Sequence, residues 1–589
     1  MRFLKHTSLI FLLSQTIGFT QPLLLPPTKK VISFGHDNPS VEAFAASLSV
    51  MESKLPADGV GIACYLSKER DGVKTHTQYK MFSSWKWEKS WFTEKIELLK
   101  SVQPQTLKHN FLKTNSCCFT KGEFDFFNDE FWEGTYNNFA IMASIAKEAG
   151  LQGIMLDMED YGNYNHFKYR PSNGKTFDET YDMVRKRGRG FIEAICKEYP
   201  DITIFAYFWL DLAFGAADNG PEIYSRLAAS TTGLLVAFIN GIYDSLPASA
   251  NIVDGMESHG YNAKELSDYY RLRALREQKF KQLIAPENHL KLLTQTKLAI
   301  AIFLDYYRQD KHPPSFQTVM QEEQLTPIQL FRRNFYHVVS LSDEYIWLFH
   351  SAPYKWYDIQ GLHSTFTTRA KGIAPEKLYW ESALPGISEA VRFCKQPFEY
   401  ARQKLEAGQH SENLLKNPGF EILAGQKKDA ENLSEIPDSE KVSAVAWTTW
   451  KSKDDSGAFR IRAGVGRNRS NAAVSENISG GSFINSAPVE KNQYYVVRAC
   501  AKASGKAFPS LRIQWRDSSG KWCRHSENLS TVFSEELEDG WKRTTLYVNH
   551  IPEGVAYLSP LLIMNSSGIT DETCFFDDVE VFRLQLDSE

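Results

Sequence analysis

The sequence contains no run of Lys and Arg, and its 589 residues carry a formal net charge of −4. Without a basic stripe it has no electrostatic footprint for a phosphate backbone, so nucleic acid is not expected among its partners. After the N-terminal leader no segment has the length and apolar purity of a transmembrane helix, so no membrane span is expected either. Cysteine is scarce. Eight residues are spread from Cys64 to Cys574 with no C-x-x-C pair, which excludes a zinc ribbon or a redox dithiol. Eight in this length is not a disulfide scaffold, and most read as small buried apolar residues. There is no H-E-x-x-H, H-x-H or H-x-x-x-H, no G-x-S-x-G elbow and no phosphate-binding G-x-x-x-x-G-K. A histidine-rich metal centre, a serine-hydrolase nucleophile and a phosphate loop are thereby unsupported. No internal repeat is present.

What is present is a soluble globular composition, 42% apolar and 23% charged, in a chain too long for one domain. Aromatics are abundant, with 13 Trp, 26 Tyr and 38 Phe. Large cores use such residues, and so do sugar-binding platforms, because pyranose rings offer apolar faces to flat side chains. The first 20 residues begin with Arg2 and Lys5 and continue into the short apolar stretch Leu9 to Leu13. This pattern reads as a signal peptide and predicts a secreted or periplasmic protein.

From residue 28 to 394, apolar strand-like runs alternate with helix-like segments. The runs are VISFGHD, GVGIACYL, HNFLKTNS, GIMLDMED, ITIFAYFW, ANIVDGME, LAIAIFLDYY and EYIWLFHS. Eight β-then-α units predict an α/β fold, a (β/α)8 TIM barrel, with near-continuous apolar strands buried on both faces. A Trp-rich insertion, Trp85 to Trp91, would either cover the site or pad the barrel. A helical linker follows over 395–412. Short alternating runs separated by turns then predict an all-β jelly-roll sandwich domain over 413–586.

Catalytic groups of such a barrel gather at the C-terminal ends of its strands. His36 and Asp37 end the first run, Asp157, Glu159 and Asp160 the fourth, Trp209 and Asp211 the fifth, Glu257 the sixth, Asp305 the seventh, and Trp347 and His350 lie on the eighth. Strand alternation puts Asp157 and Glu159 on one face with Met155. If that face points inward, the crowded carboxylates raise at least one pKa, and one acid stays protonated. Glycosidic cleavage needs such a pair. On this reading Glu159 is the general acid/base, Glu257 the nucleophile or base, and Asp157 tunes the site. His36, Asp37, Trp209, His259, Tyr261, Asp305 and Trp347 line the substrate cleft. Acids at strand ends also serve as helix caps or ion-pair partners, and Trp209 and Trp347 also fit a core. A carboxylate metal site from Asp157, Glu159 and Glu257 is an unspecific alternative.

Asp157-Met158-Glu159 resembles the end of the chitinase-type motif of glycoside hydrolase family 18. The resemblance implies that Glu159 is the acid and that Asp157 orients a substrate acetamido group. The family's further upstream acids are absent here, where Met155 and Gln152 stand, so a pair using Glu257 stays open. The C-terminal segments NLLKNPGFE and FFDDVEVFRL, with Trp447 and Trp450 between them, resemble a CenC-type carbohydrate-binding module. That resemblance implies a carbohydrate partner and a structural calcium on Glu421 and on Asp578 or Asp577, with no cofactor for catalysis. Trp447, Trp450, Trp515 and Trp522 are the candidate stacking residues, at least two of them expected in the core. The expected activity is a secreted glycoside hydrolase. The alternative is a non-catalytic glycan-binding surface protein on a degenerate barrel.

Overall fold

The computed structural model describes residues 29–35, 37–70, 72–114, 124–159, 164–213, 222–308, 325–358, 368–423, 444–523, 528–566 and 571–586. The leader segment 1–20, His36, Cys117, Cys118 and Asp160 lie outside the described residues.

Nine parallel strands form one curled sheet: β1 (Lys30–Gly35), β2 (Gly59–Ala63), β3 (Phe111–Thr114), β4 (Gly153–Leu156), β5 (Thr203–Ala206), β6 (Asn251–Asp254), β7 (Thr296–Leu298), β8 (Ala301–Phe303) and β9 (Tyr345–His350). Their order is β8-β9-β1-β2-β3-β4-β5-β6-β7. The two end strands, β7 and β8, are consecutive in the chain, with only Ala299 and Ile300 between them. The expected seventh strand is therefore two short ones. Leu304–Tyr307, expected to extend it, turns into a 3-10 helix instead.

All the strands are shorter than their apolar runs. β4 stops at Leu156, β5 at Ala206 and β6 at Asp254. The acids that read as strand ends consequently sit on the connections beyond them. The connecting helices are written locally. Phe177–Glu198 opens with a capping box between Thr176 and Glu179, and Pro327–Leu341 with another between Thr326 and Gln329. Asn128 caps Asp129–Glu148 by accepting from Phe131 N at 3.1 Å.

The interior of the curl is aromatic. Phe111, Phe205 and Tyr345 meet with ring centroids 5.6–6.0 Å apart. Above them Trp347 stacks on Tyr207 at 5.2 Å and touches Phe205, Phe34 and Phe349. Phe111, Phe205 and Tyr345 come from strands that are not neighbours in the sheet, so these rings meet across its concave side.

The Trp-rich insertion pads the outside. Trp87 is buried, and its backbone N donates to Asn138 Oδ1 at 3.0 Å on the helix Asp129–Glu148. The segment expected as a helical linker, 395–412, contains the helix Pro397–Glu406, which together with the preceding helix Ile387–Lys395 packs rather than floats. Phe393 meets Tyr494 at 4.0 Å and Phe398 meets Tyr547 at 5.1 Å. Beyond them, two six-stranded antiparallel sheets enclose a second core containing Phe483, Val497, Trp515 and Phe576. Five of the six described cysteines are buried and all six are free thiols, in keeping with their reading as small apolar residues.

Trp347 is fully buried, and its Nε1 donates to Gly255 O at 2.8 Å. Trp347→Ala should cost about 3–5 kcal/mol, read as a drop in urea midpoint at constant m-value. A loss under about 1 kcal/mol would mean that the interior is not packed as described.

Candidate functional site at the C-terminal edge of the parallel sheet

Carboxylates, one lysine and a shell of tyrosines gather where the strands end. Asp157 is buried and turns back on its own chain, Oδ1 accepting from Glu159 N at 2.9 Å. Glu159 and Glu257 each keep part of their surface accessible. Met155, one turn of the pleat below Asp157, points inward. Its sulfur lies 3.7 Å from the Tyr207 hydroxyl and is the nearest atom to a side chain built at Gly61. Both acids lie past the strand's end at Leu156, where strand alternation no longer fixes their direction.

Glu257 does not end a strand. It opens the short helix Glu257–Asn262, after a turn in which Met256 is left-handed at φ +45°. A non-glycine residue in that region is strained by about 1–3 kcal/mol, so the surroundings must hold it. They do so with four bonds. Asp254 Oδ1 accepts from Met256 N at 3.2 Å, and Gly255 N donates to Ala206 O at 2.8 Å. Glu257 N donates to Tyr207 O at 3.2 Å, and Trp347 Nε1 holds Gly255 O at 2.8 Å. A Cβ on Gly255 would lie 2.7 Å from Ala206 O, so only glycine lets the turn come this close.

The electrostatics follow from enclosure. Burial first, and then the charges of Asp157 and Glu159, push the Glu257 carboxyl well above the ordinary range, with the Tyr261 hydroxyl opposing. Burial holds the Lys113 ammonium below the ordinary lysine range, while Asp157 and then Glu257 pull it back up. Lys113 lies on β3 with its Nζ 4.7 Å over the Phe34 ring. Tyr65 and Tyr207 have hydroxyls raised well above normal, by burial and then by Asp157. Behind Glu257, burial and then Asp211 raise the Asp254 carboxyl. His259 Nδ1 lies 3.8 Å from Asp211 Oδ2.

The remaining expected cleft residues divide. Tyr261 belongs to the site and stacks on Phe303 and Phe349 at 5.0 and 5.7 Å. Trp209 is core: it is 1% exposed, and its Nε1 donates to Tyr243 OH at 3.0 Å, towards a surrounding helix. Trp347 is core as well, as floor rather than platform. Asp37 is buried against His350 Nε2 at 2.8 Å, and Asp305 accepts from Ser351 Oγ at 3.0 Å. Both pin strand ends together. Lys113, Tyr65 and Tyr207 escaped the sequence reading. A lysine inside the apolar run Phe111-Leu112-Lys113-Thr114 was the available signal for the first.

In the antiparallel sheets, Glu421 and Asp577 converge, their Oε1 and Oδ1 lying 3.7 and 3.6 Å from the position of a side chain at Gly419. Asp578 turns away at φ +48° to pair with Arg467. Asp577 is fully buried, which lifts its carboxyl to about 6. Among the described residues no three His, Cys, Asp or Glu side chains cluster as a metal site. Trp447 and Trp515 are core, whereas Trp450 and Trp522 are 59% and 44% exposed.

The chain matches no known protein family and no curated protein. Solved structures resemble parts of it. The enzymatically active domain of bacteriophage CBA120 tailspike protein 4 is 14% identical over 29% of this chain and 21% of that one, with a TM-score of 0.21. The CBM22-1–GH10 modules of Clostridium thermocellum endo-1,4-β-D-xylanase 10B, complexed with xylohexaose, are 13% identical over 23% and 26%, with a TM-score of 0.18. TmCBM61, in complex with β-1,4-galactotriose, is 15% identical over 29% and 99%, with a TM-score of 0.19. The chain thus spans about a fifth of the tailspike domain's length and a quarter of the xylanase's.

Glu257 has a folded pKa above its unfolded value near 4.5. Its contribution is therefore complete below that value and is lost as pH rises through the folded one. Glu257→Gln should match the native protein at pH 4.5 and exceed it at pH 8 by roughly 1–3 kcal/mol in urea denaturation. An equal difference at both pH values would refute the raised pKa.

Proposed function

We propose that the chain is an exported glycoside hydrolase, a (β/α)8 barrel with a C-terminal jelly-roll carbohydrate-binding sandwich. The barrel reading is supported by the parallel sheet whose end strands are two residues apart in the chain, and by rings that meet across its interior. The sandwich reading is supported by two antiparallel sheets around one core. Export rests on the leader sequence alone.

One observation carries the activity: Glu257 lies beside two other carboxyls, Asp157 and Glu159, at the sheet's C-terminal edge, where burial and then those charges push its carboxyl up. A carboxylic acid that keeps its proton near neutral pH can donate it to a glycosidic oxygen as the bond breaks. Glu257 is accordingly the general acid, a role the sequence reading gave to Glu159. Glu159 is then the base that activates water or the nucleophile that attacks the anomeric carbon. Asp157, held by Glu159 N, adds to the effect of burial on the Glu257 carboxyl. Tyr261, stacked on Phe303 and Phe349, supplies a wall of the cleft.

The test pairs two variants on a panel of polysaccharides, oligosaccharides and activated aryl glycosides. Glu257→Gln should lose about 10²–10⁴-fold on natural glycans but far less on aryl glycosides whose leaving group needs no proton. Glu159→Gln should lose both. If Glu159→Gln alone is rescued by the activated leaving group, the roles are reversed. Glycan binding without any sugar release would favour the non-catalytic reading, with Trp450 and Trp522 as the exposed stacking residues.

Calcium would sit on Glu421 and Asp577, an oxygen donor pair that suits the ion, with backbone or amide carbonyls completing the shell. Asp577 must be ionised to bind it, and its carboxyl titrates near 6. Millimolar calcium should therefore raise Tm at pH 7.5 and much less at pH 5, and Asp577→Asn should abolish the effect. An equal calcium shift in that variant would refute the site.

A further inference from the structure

We propose that the outward face of one sandwich sheet binds an extended polyanionic glycan, whose carboxylate or sulfate groups pair with Arg512 and Arg516 while its sugar rings lie against the flanking aromatic side chains. The proposal rests on the reading of the sandwich as a sugar-binding body and adds the charge of the ligand.

The face is defined by register. Trp450 stands opposite Ser482, Ser482 opposite Ile563, Ile563 opposite Ser510, and Ser510 opposite Val532. Residues paired across an antiparallel sheet share a face, so this row crosses five strands on one side. The alternate row, with Phe483, Leu562 and Leu511, belongs to the sandwich core, so the first row points away from it. Along the strand Phe508–Arg516, alternation adds Phe508, Arg512 and Arg516 to the outward side. Trp450, Phe508 and Val532 are exposed at its margins, whereas Ser482 and Ser510 between them are short and buried. The face is thus a trough with small polar residues in its floor and apolar side chains at its margins.

Charge decides what the trough takes. No Asp or Glu occurs in any of the six strands of this sheet. Among the described residues the Arg512 side chain makes no hydrogen bond or ion pair. Arg516 donates from Nη1 to Gly520 O at 3.1 Å, but its Nε has no acceptor among them. Its guanidinium lies 3.8 Å over the Trp522 ring, which holds the planar fork in place. The adjoining acid, Asp517, is engaged in its own turn, accepting from Ser519 N at 2.8 Å and from Lys521 N at 3.0 Å. The other sheet is the contrast, because its cations meet acids. Arg460 Nε lies 2.8 Å from Glu476, Arg498 Nη2 2.7 Å from Glu580, and Lys542 Nζ 2.7 Å from Glu536. A face with arginines and no acid, in a chain of net charge −4, is complementary to a negative ligand. Arg512 and Arg516 are four residues apart on one strand, about 13 Å. One small anion cannot reach both, so the arrangement suits a polymer that repeats its charge, each guanidinium taking one oxyanion.

Two matched pairs of probes separate charge from sugar: polygalacturonate against its fully methyl-esterified form, and dextran sulfate against dextran. Affinity is measured on the full chain by isothermal titration at roughly 50 mM salt, where surface charges are weakly screened. The charged member of at least one pair should bind, and its neutral counterpart about tenfold more weakly or less. Tighter binding of polygalacturonate assigns the anion as a carboxylate, and tighter binding of dextran sulfate as a sulfate ester. Arg512→Gln and Arg516→Gln should each weaken that binding by about 3–10-fold. Lys542→Gln, which removes one positive charge from the other sheet, should leave it unchanged. Native affinity in both arginine variants, or an equal loss in Lys542→Gln, overturns the proposal. Neutral members that bind as well as the charged ones overturn it too, and keep the sugar-binding reading. If none of the four binds, the proposal is overturned, and the sugar-binding reading falls with it when the wider glycan panel is not bound either. A thymidine oligonucleotide that binds more tightly than either charged glycan at the same salt also overturns it, in favour of nucleic acid.

Discussion

Like charges brought together where water is scarce are the constraint on which this site depends. Carboxylates near one another in an enclosure repel, and each lacks the hydration that would stabilise its charge. The surroundings answer with specific groups. Lys113 supplies the opposite charge from β3. Glu159 N donates to Asp157, and burial and the neighbouring charges push the Glu257 carboxyl well above its ordinary range. The backbone is strained to the same end, since left-handed Met256 delivers Glu257 to the edge of the sheet.

The aromatic interior is what makes the enclosure rigid. Trp347 is the floor, in ring contact with Phe34, Phe205, Tyr207, Tyr261 and Phe349, and it ties down the turn before Glu257 through Gly255. Around the rim, buried polar pairs do the work that closed strand ends need. His350 joins Asp37 across β9 and β1, and a Cβ on Gly35 would collide with the His350 ring. Charged residues that resemble cleft liners thus hold the rim together. The second body of the chain seats on the outer helices, where Phe393 and Phe398 meet Tyr494 and Tyr547.

Apolar runs alternating with amphipathic segments determined the parallel sheet, and short alternating runs determined the antiparallel ones, because burial on two faces or on one leaves a different period in the chain. The clustered acids of GIMLDMED were legible for the same reason: charges at the end of an apolar run have few uses. What the residues could not specify was direction. Trp209 and Trp347 belong to the same apolar runs as the site, yet one faces a helix and the other the interior. Asp577 and Asp578 are adjacent, and a left-handed backbone at Asp578 decided which of them meets Glu421. Lys113 and Glu257 are separated by some 140 positions, and only the curl of the sheet brings them to one site. Local patterning records how each segment is buried. Which charge faces which is set by register, curvature and turn geometry, and those arise from contacts between segments distant in the chain.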